Sequence, residues 1–431
     1  MIERYSVTKI NDIWSDDHKY NLWLKIEILI AEGWSKLKVI PESDIEKIKK
    51  HSFYNKKRML EIEEQTRHDV IAFTRMLSEQ LGFESRWIHL GITSTDIVDT
   101  AQNYLIKQSN EIIKSELEKL LEILKNLAIQ NKNIIIMGRT HGMYGEPTSL
   151  GLKFILWYEE MKRQIKRFEL AREQIEVTKI SGSMGNYANL ELEIDEYVAK
   201  KLDLKIDLIS TQVTQRDKHA FLISVFANIA STIEKISTEI RLLSRSEVNE
   251  ITEEFFKNQK GSSSMPHKKN PISTENMTGL TRYIKSFLHM TLENNNLWHE
   301  RDISHSSNER IMFPDIYNVL TYTLMRMNTT LKNLVINYDV IKENINKVNN
   351  LFFSQRILTY ILIKNNKVSR EEIYDLLQQA TFICFNENKN FKQVLLEKNI
   401  LEYINKEDFE NLFDINFFLR HIEKIYIRIF T

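Results

Sequence analysis

The sequence predicts an all-α protein. Three observations carry that expectation. Only 11 Gly and 5 Pro occur in 431 residues, apolar residues recur at 3/4 spacing over long stretches, and polar clusters are confined to the joins between those stretches. The length suffices for a large core and two or three domains.

Residues 1–110 read as short and medium helices with polar joins, an N-terminal helical domain. Pro41-Glu42-Ser43-Asp44 has the form of a helix start, with acids in the first turn. Thr66-Arg67-His68-Asp69-Val70 places four polar side chains in succession. Further on, Trp87-Ile88-His89-Leu90-Gly91-Ile92-Thr93-Ser94-Thr95-Asp96 reads as a loop entering a helix. Its run of capping residues suits plain capping, or an anion held at a helix N-terminus.

Residues 111–364 form a central domain of long helices. One stripe runs Ile112, Ile113, Leu117, Leu120, Leu121, Leu124, Leu127, and another Ile223, Phe226, Ile229, Ala230, Ile233, Ile236, Ile240, Leu243. The second has few charges in its first half and belongs deep in a bundle. Its apolar run, Ala220 to Ile233, is too short to span a bilayer and includes Asn228, Ser231 and Thr232. Between the helices lie Met137–Thr148, with three glycines and a proline around His141, and the Gly/Ser loop Ile180–Tyr187. Thr211-Gln212 and Gln215-Arg216-Asp217 open the deep helix, and Trp298–Arg310 is dense in polar groups. Residues 365–431 read as a small C-terminal helical domain, in which Ser369-Arg370-Glu371-Glu372 resembles a capping box.

Composition excludes several classes. Lys+Arg and Asp+Glu are 59 each, so no net field draws nucleic acid or an anionic membrane. Cys384 is the only cysteine, which rules out an internal disulfide and suits a cytoplasmic protein. Met1-Ile2-Glu3-Arg4-Tyr5 is charged at once and lacks the apolar stretch of a signal peptide.

The chemistry concentrates in a loop within 258–275, Lys260-Gly261-Ser262-Ser263-Ser264-Met265-Pro266-His267-Lys268-Lys269-Asn270-Pro271. Serine hydroxyls, two lysines and two rigidifying prolines equip it to hold an anion and move a proton. Seven of the 11 histidines (68, 89, 141, 219, 267, 299 and 305) fall in or beside the polar clusters, as in an active site built from several loops. His299 and His305 are six apart, so no HExxH zinc motif exists, and no metal is expected. Gly182-Ser183-Met184-Gly185 lacks the GxSxG spacing, and phosphate-loop and dinucleotide fingerprints are missing. Cofactor-free acid–base chemistry on an anionic substrate remains.

Ser262 to Asn270, read as Ser-Ser-x-Met-Pro-x-Lys-x-Asn, resembles the signature loop of the fumarase/aspartase lyase superfamily. Thr66–Val70, Gly91–Asp96, Arg139-Thr140-His141-Gly142 and Trp298–Ser306, in the same order along essentially the whole chain, resemble its bacterial-type adenylosuccinate lyase family. Ser264, Lys269 and Tyr144-Gly145 depart from the usual Ala, Arg and His-Ala, and none removes a catalytic group. The resemblance implies a three-domain homotetramer around a multi-helix bundle, with active sites where three subunits meet. It implies cleavage of adenylosuccinate to AMP and fumarate, and of SAICAR to AICAR and fumarate, without a cofactor. By the family pattern Ser262 is the general base, six residues before Lys268, although Ser263 is an adjacent candidate. His141 is the general acid, Lys268 neutralises the carbanion, Glu275 orients His141, and His68 belongs with the catalytic groups. Arg4, Tyr5, Arg67, His68 and Asp69 would bind the nucleotide and its phosphate, with His89 near the phosphate. Thr93, Ser94, Gln212, Ser263 and Asn270 would bind the succinyl part, and Arg301, Ser306 and Arg310 phosphate and ribose. Argininosuccinate lyase, aspartase or a non-catalytic scaffold are the competing possibilities.

Overall fold

The computed structural model describes residues Met1–Thr431. Helices dominate, joined by three two-stranded sheets. Chain contacts divide the molecule into two units. The first comprises Met1–Leu120, Glu160–Ser237 and Glu275–Thr329; the second comprises Leu121–Glu159, Thr238–Thr274 and Thr330–Thr431.

The first unit is built on five long helices, Ser94–Gln130, Leu150–Ile175, Asp217–Leu243, Ile272–Glu293 and Ser304–Lys332, each of which contributes part of its length to it. Every member of the predicted stripe from Ile223 to Leu243 is buried. Phe226 of that stripe packs on Phe168 and edge-on to Tyr317, whose hydroxyl donates to Asn110 Oδ1 at 2.7 Å. The Asp217–Leu243 helix is long and apolar enough to cross a membrane by composition alone, but it is mostly buried within the fold. In the other stripe Ile113, Leu117, Leu120 and Leu124 are buried, whereas Ile112, Leu121 and Leu127 at its margins are half-buried. Position 110 lies inside the Ser94–Gln130 helix, and position 364 ends the Ser354–Lys364 helix.

Aromatic packing fixes the N-terminal layer of this unit. Tyr20 and Trp23 of the Asp16–Lys36 helix meet Phe73 of the Asp69–Ser78 helix, with Tyr54 stacked on Tyr20. These rings seat the joint between the Lys56–Thr66 and Asp69–Ser78 helices, which carries Arg67 and His68. The predicted start at Pro41 is the N-cap of the Glu42–His51 helix.

In the second unit Met137–Thr148 is not an irregular join. Ile135–Thr140 and Met143–Ser149 pair as an antiparallel hairpin with a bulge after Met137. β-Branched residues before a two-residue His-Gly turn were the local signal for it. The C-terminal helices pack around Phe352, Phe353, Phe409, Phe413 and Phe418, and Ser369 caps its helix by accepting from the Glu372 N–H at 3.1 Å.

Candidate active site

In the first unit, Arg67 closes one helix in the left-handed conformation (φ 55°), and His68 opens the next as its N-cap. His68 Nδ1 accepts from the Ile71 N–H at 3.4 Å, which leaves the ring proton on the exposed Nε2. Asp69 accepts from the Val70 N–H at 2.8 Å and from Arg310 Nη2 at 2.6 Å. Burial pushes the Asp69 carboxyl up, but the Arg310 bond and charge prevail and hold it below the usual range.

The Gly91–Asp96 loop enters the Ser94–Gln130 helix as expected, and Asp96 organises it. Its Oδ2 accepts from the Thr93 N–H at 2.7 Å. Its Oδ1 accepts from buried Lys179 Nζ at 2.6 Å and from the N–H groups of Ser181 (3.0 Å) and Gly182 (3.1 Å). The loop that carries Thr93 and Ser94 is thereby tied to the Gly/Ser loop.

Gln212 is a second junction. Its backbone oxygen accepts from the Thr95 hydroxyl, its Oε1 accepts from Arg301 Nη1 at 3.0 Å, and its Nε2 donates to the Ser183 oxygen at 3.2 Å. Arg301 Nε is buried without a hydrogen-bond partner.

Beneath these groups lies a network centred on Arg216. All five donors of its buried guanidinium are engaged: Asp99 at 2.7 and 3.0 Å, Glu309 at 3.0 and 3.1 Å, and the Thr214 oxygen at 2.7 Å. Burial works against the cation, but the two carboxylates hold its proton in place. Glu309 is pushed up, chiefly by burial. Buried His219 and His305 face the same charges and are kept neutral, His305 falling to about 4 through burial and then the Arg216 charge. Asp99, Arg216 and Glu309 therefore tie together the segments that carry Ser94, Gln212 and Arg310.

Tyr5 lies in a short turn, with its hydroxyl accepting from Asn276 Nδ2 at 3.1 Å. Arg4 and Glu275 are exposed and unpaired, and Ser306 is half-buried in the first turn of the Ser304–Lys332 helix.

The second unit carries the remaining groups. His141 and Gly142 form the two-residue hairpin turn, with φ of 55° and 79°. Both values are positive, as a type I′ turn requires; Gly142 adopts this freely, whereas His141 is strained. The ring is presented at an exposed tip. The hairpin is pinned below by Arg139, which forks onto buried Glu250 at 2.8 and 2.7 Å under the Tyr144 ring.

In the serine-rich loop, Ser262 Oγ accepts from the N–H groups of Ser264 (3.3 Å) and Met265 (3.1 Å). Two converging N–H dipoles favour negative charge on that oxygen, an asset Ser263 lacks. Gly261 closes the neck of the loop. A Cβ there would stand 2.0 Å from the Lys268 oxygen, and Asn270 Nδ2 donates to the Gly261 oxygen at 2.8 Å. Asn270 thus has a closing role in the loop, beyond the substrate contact expected of it. Ser263 and Lys268 are exposed and unpaired. Glu253 anchors the exit by accepting from the Ser273 and Thr274 N–H groups at 3.0 and 2.7 Å.

The candidate residues therefore divide between the two units: Arg4, Tyr5, Arg67, His68, Asp69, His89, Thr93, Ser94, Gln212, Glu275, Arg301, Ser306 and Arg310 belong to the first, and His141, Ser262, Ser263, Lys268 and Asn270 to the second. Sequence reasoning missed the groups that hold them: Glu27, Asp99, Lys179, Glu250 and Glu253, with Arg216 and Glu309 noted only within polar runs. A lone acid in an apolar run, such as Glu27 within Leu22–Ile30, was the available signal.

Residues 3–285 match the family described as Lyase, and residues 350–429 match the adenylosuccinate lyase C-terminus. The fold is shared with a fumarate lyase from Mesorhizobium sp. BNC1 (TM-score 0.88, 20% identity, covering 100% of this chain and 99% of that one). It is also shared with the 3-carboxy-cis,cis-muconate lactonizing enzyme of Pseudomonas putida (TM-score 0.87, 21% identity, 99% and 96% covered). The fold is that of the fumarase/aspartase lyase superfamily. An adenylosuccinate lyase of Bacillus subtilis (strain 168) is 45% identical over 430 residues, spanning 100% of this chain and 99% of that protein. The chain belongs to the adenylosuccinate lyase family.

Proposed function

We propose that this chain is a C–N lyase that cleaves adenylosuccinate to AMP and fumarate, and SAICAR to AICAR and fumarate, in purine nucleotide biosynthesis. The full-length likeness to the B. subtilis protein carries this reading.

The chemistry follows from the loop and the hairpin. Ser262 Oγ, as the alkoxide, removes the proton from the carbon beside a succinyl carboxylate, and the Ser264 and Met265 N–H groups lower the cost of its charge. The carbanion electrons pass into that carboxylate, where unpaired Lys268 balances the doubled charge. They then return to form the fumarate double bond as the C–N bond breaks with its pair on nitrogen. His141 protonates that nitrogen, with Glu275 orienting the ring and His68 assisting. No cofactor is required for any of these transfers.

A homotetramer, with sites shared between copies, is the assembly proposed. It is supported by the exposed, strained His141 tip and by large exposed apolar side chains such as Leu208 (95%), Trp298 (77%) and Ile311 (67%). The segments 1–110, 111–364 and 365–431 are proposed as its domains, and the cytoplasm as its location.

Fumarate release from adenylosuccinate, SAICAR and argininosuccinate tests the assignment. Turnover of both purine substrates, lost in a folded Ser262→Ala variant, is expected. Turnover of argininosuccinate alone would move the protein to another lyase class, and silence on all three would favour a scaffold.

A further inference from the structure

Glu27 stands inside the apolar core of the Asp16–Lys36 helix, between Ile26 and Ile28, with its side chain 2% exposed. A carboxylate so placed costs several kcal/mol unless it is paired, so its partners matter. Both of its bonds go to one residue, 62 positions away. Oε2 accepts from the backbone N–H of His89 at 3.0 Å, and Oε1 accepts from Nδ1 of the same residue at 2.7 Å. His89 is held at φ 64°, a conformation unfavourable for a residue with a Cβ, and Trp34 Nε1 fixes the next carbonyl, Leu90, at 3.2 Å. With Nδ1 and the backbone both clamped, the only free polar atom of the ring is Nε2, and the ring is one-quarter exposed. Five residues on, the same loop enters the Ser94–Gln130 helix.

We propose that Glu27 is a positioning residue: it holds His89 in place so that Nε2 faces the phosphate of the bound nucleotide. The proposal rests on the nucleotide-lyase function argued above. Burial alone would strip the ring of its second proton, but the Glu27 hydrogen bond and charge, with a smaller contribution from Asp96, reverse the balance upward. The other charged group on that side, Lys179, is spent on Asp96. On the segment packed against Gly91, the Tyr187 hydroxyl is committed to Asp195 at 2.8 Å. No other acid is bonded to the ring. Glu27 itself touches no substrate and acts through His89.

The test is calorimetric binding of AMP and of adenosine to the purified protein from pH 6 to 9, for the wild type, Glu27→Gln, Glu27→Ala and His89→Gln. Glutamine keeps the shape and leaves the ring bonded but uncharged. In the wild type, AMP affinity should fall as pH rises through the His89 titration while adenosine affinity stays level. Glu27→Gln should weaken AMP about tenfold near neutrality, shift that inflection toward lower pH, and leave adenosine within twofold. His89→Gln should abolish the inflection, and Glu27→Ala should match or exceed the Glu27→Gln loss. A purely structural clamp would weaken AMP and adenosine together, and that result overturns the proposal. So does an unmoved inflection in folded Glu27→Gln. If neither Glu27 variant folds, the wild-type and His89→Gln curves decide, since an inflection that survives removal of the imidazole cannot come from His89. Fumarate release is measured separately, so a failure of the lyase assignment is distinguishable from a failure of the Glu27 role.

Discussion

The Arg216 network and the Ser262 loop are opposites in hydrogen bonding. Around Arg216 every guanidinium donor is matched, the partners come from three segments, and all the members are buried. In the loop, Lys268, Ser263 and His267 are exposed and unmatched, and order resides in the neck and in the two N–H groups on Ser262. Buried charge must be satisfied before the chain folds, so it serves positioning; unsatisfied exposed charge remains free to meet a substrate. The first region should fail by unfolding, the second by losing turnover at unchanged stability.

The comparison is tested most severely at Ser262. Ser262→Ala should reduce kcat by about 10³-fold or more with an unchanged melting temperature, because it removes the hydroxyl proposed as general base and leaves the neck of the loop intact. Arg216→Met should do the reverse, costing roughly 3–5 kcal/mol in urea unfolding by leaving Asp99 and Glu309 buried without their cation. If the Asp99→Leu/Arg216→Met/Glu309→Leu variant were as unstable, the charges would not be the cause. Gly261→Ala should resemble the serine variant more mildly. A methyl pressed on the Lys268 oxygen displaces the loop, and a loss of about 100-fold in kcat with intact folding is expected from misplacement on the ångström scale.

A pH measurement probes a third buried acid. Asp195 is raised to about 6, first by burial and then by the charges of Asp96 and Asp207, against the bonds from Thr178 and Tyr187. Its folded state therefore holds the proton more tightly than the unfolded chain. The stability this contributes is fully present below the unfolded value near 3.8 and is lost as pH rises through about 6. Asp195→Asn should remove that loss, narrowing the stability difference between pH 4 and pH 7 by roughly 2–3 kcal/mol relative to the wild type. The smallest effect is expected at the C-terminal cap, where Ser369→Ala should cost about 1 kcal/mol without touching turnover.

Much of this molecule was legible in its sequence because the rules involved are local. The Ile223–Leu243 stripe, the starts at Pro41, Thr93 and Ser369, and the contrast between long helices and polar joins all follow from spacings of a few residues. The Ile135–Ser149 hairpin escaped because the glycines and a proline among polar residues of Met137–Thr148 read as a loop and outweighed the β-branched residues before them. The candidate groups were legible as chemistry but not as geometry. Nothing local says that Ser262 rather than Ser263 receives two N–H groups.

By itself, then, the sequence determined the helical class, the buried faces, the caps and the inventory of proton-moving and anion-binding side chains. Each of these depends on periodicity or on residue type. Tertiary structure alone decided which buried charges meet: Arg216 with Asp99 across 117 positions and with Glu309 across 93, and Glu27 with His89 across 62. An ion pair in low dielectric is set by distances of about 3 Å, and separation along the chain carries no information about them.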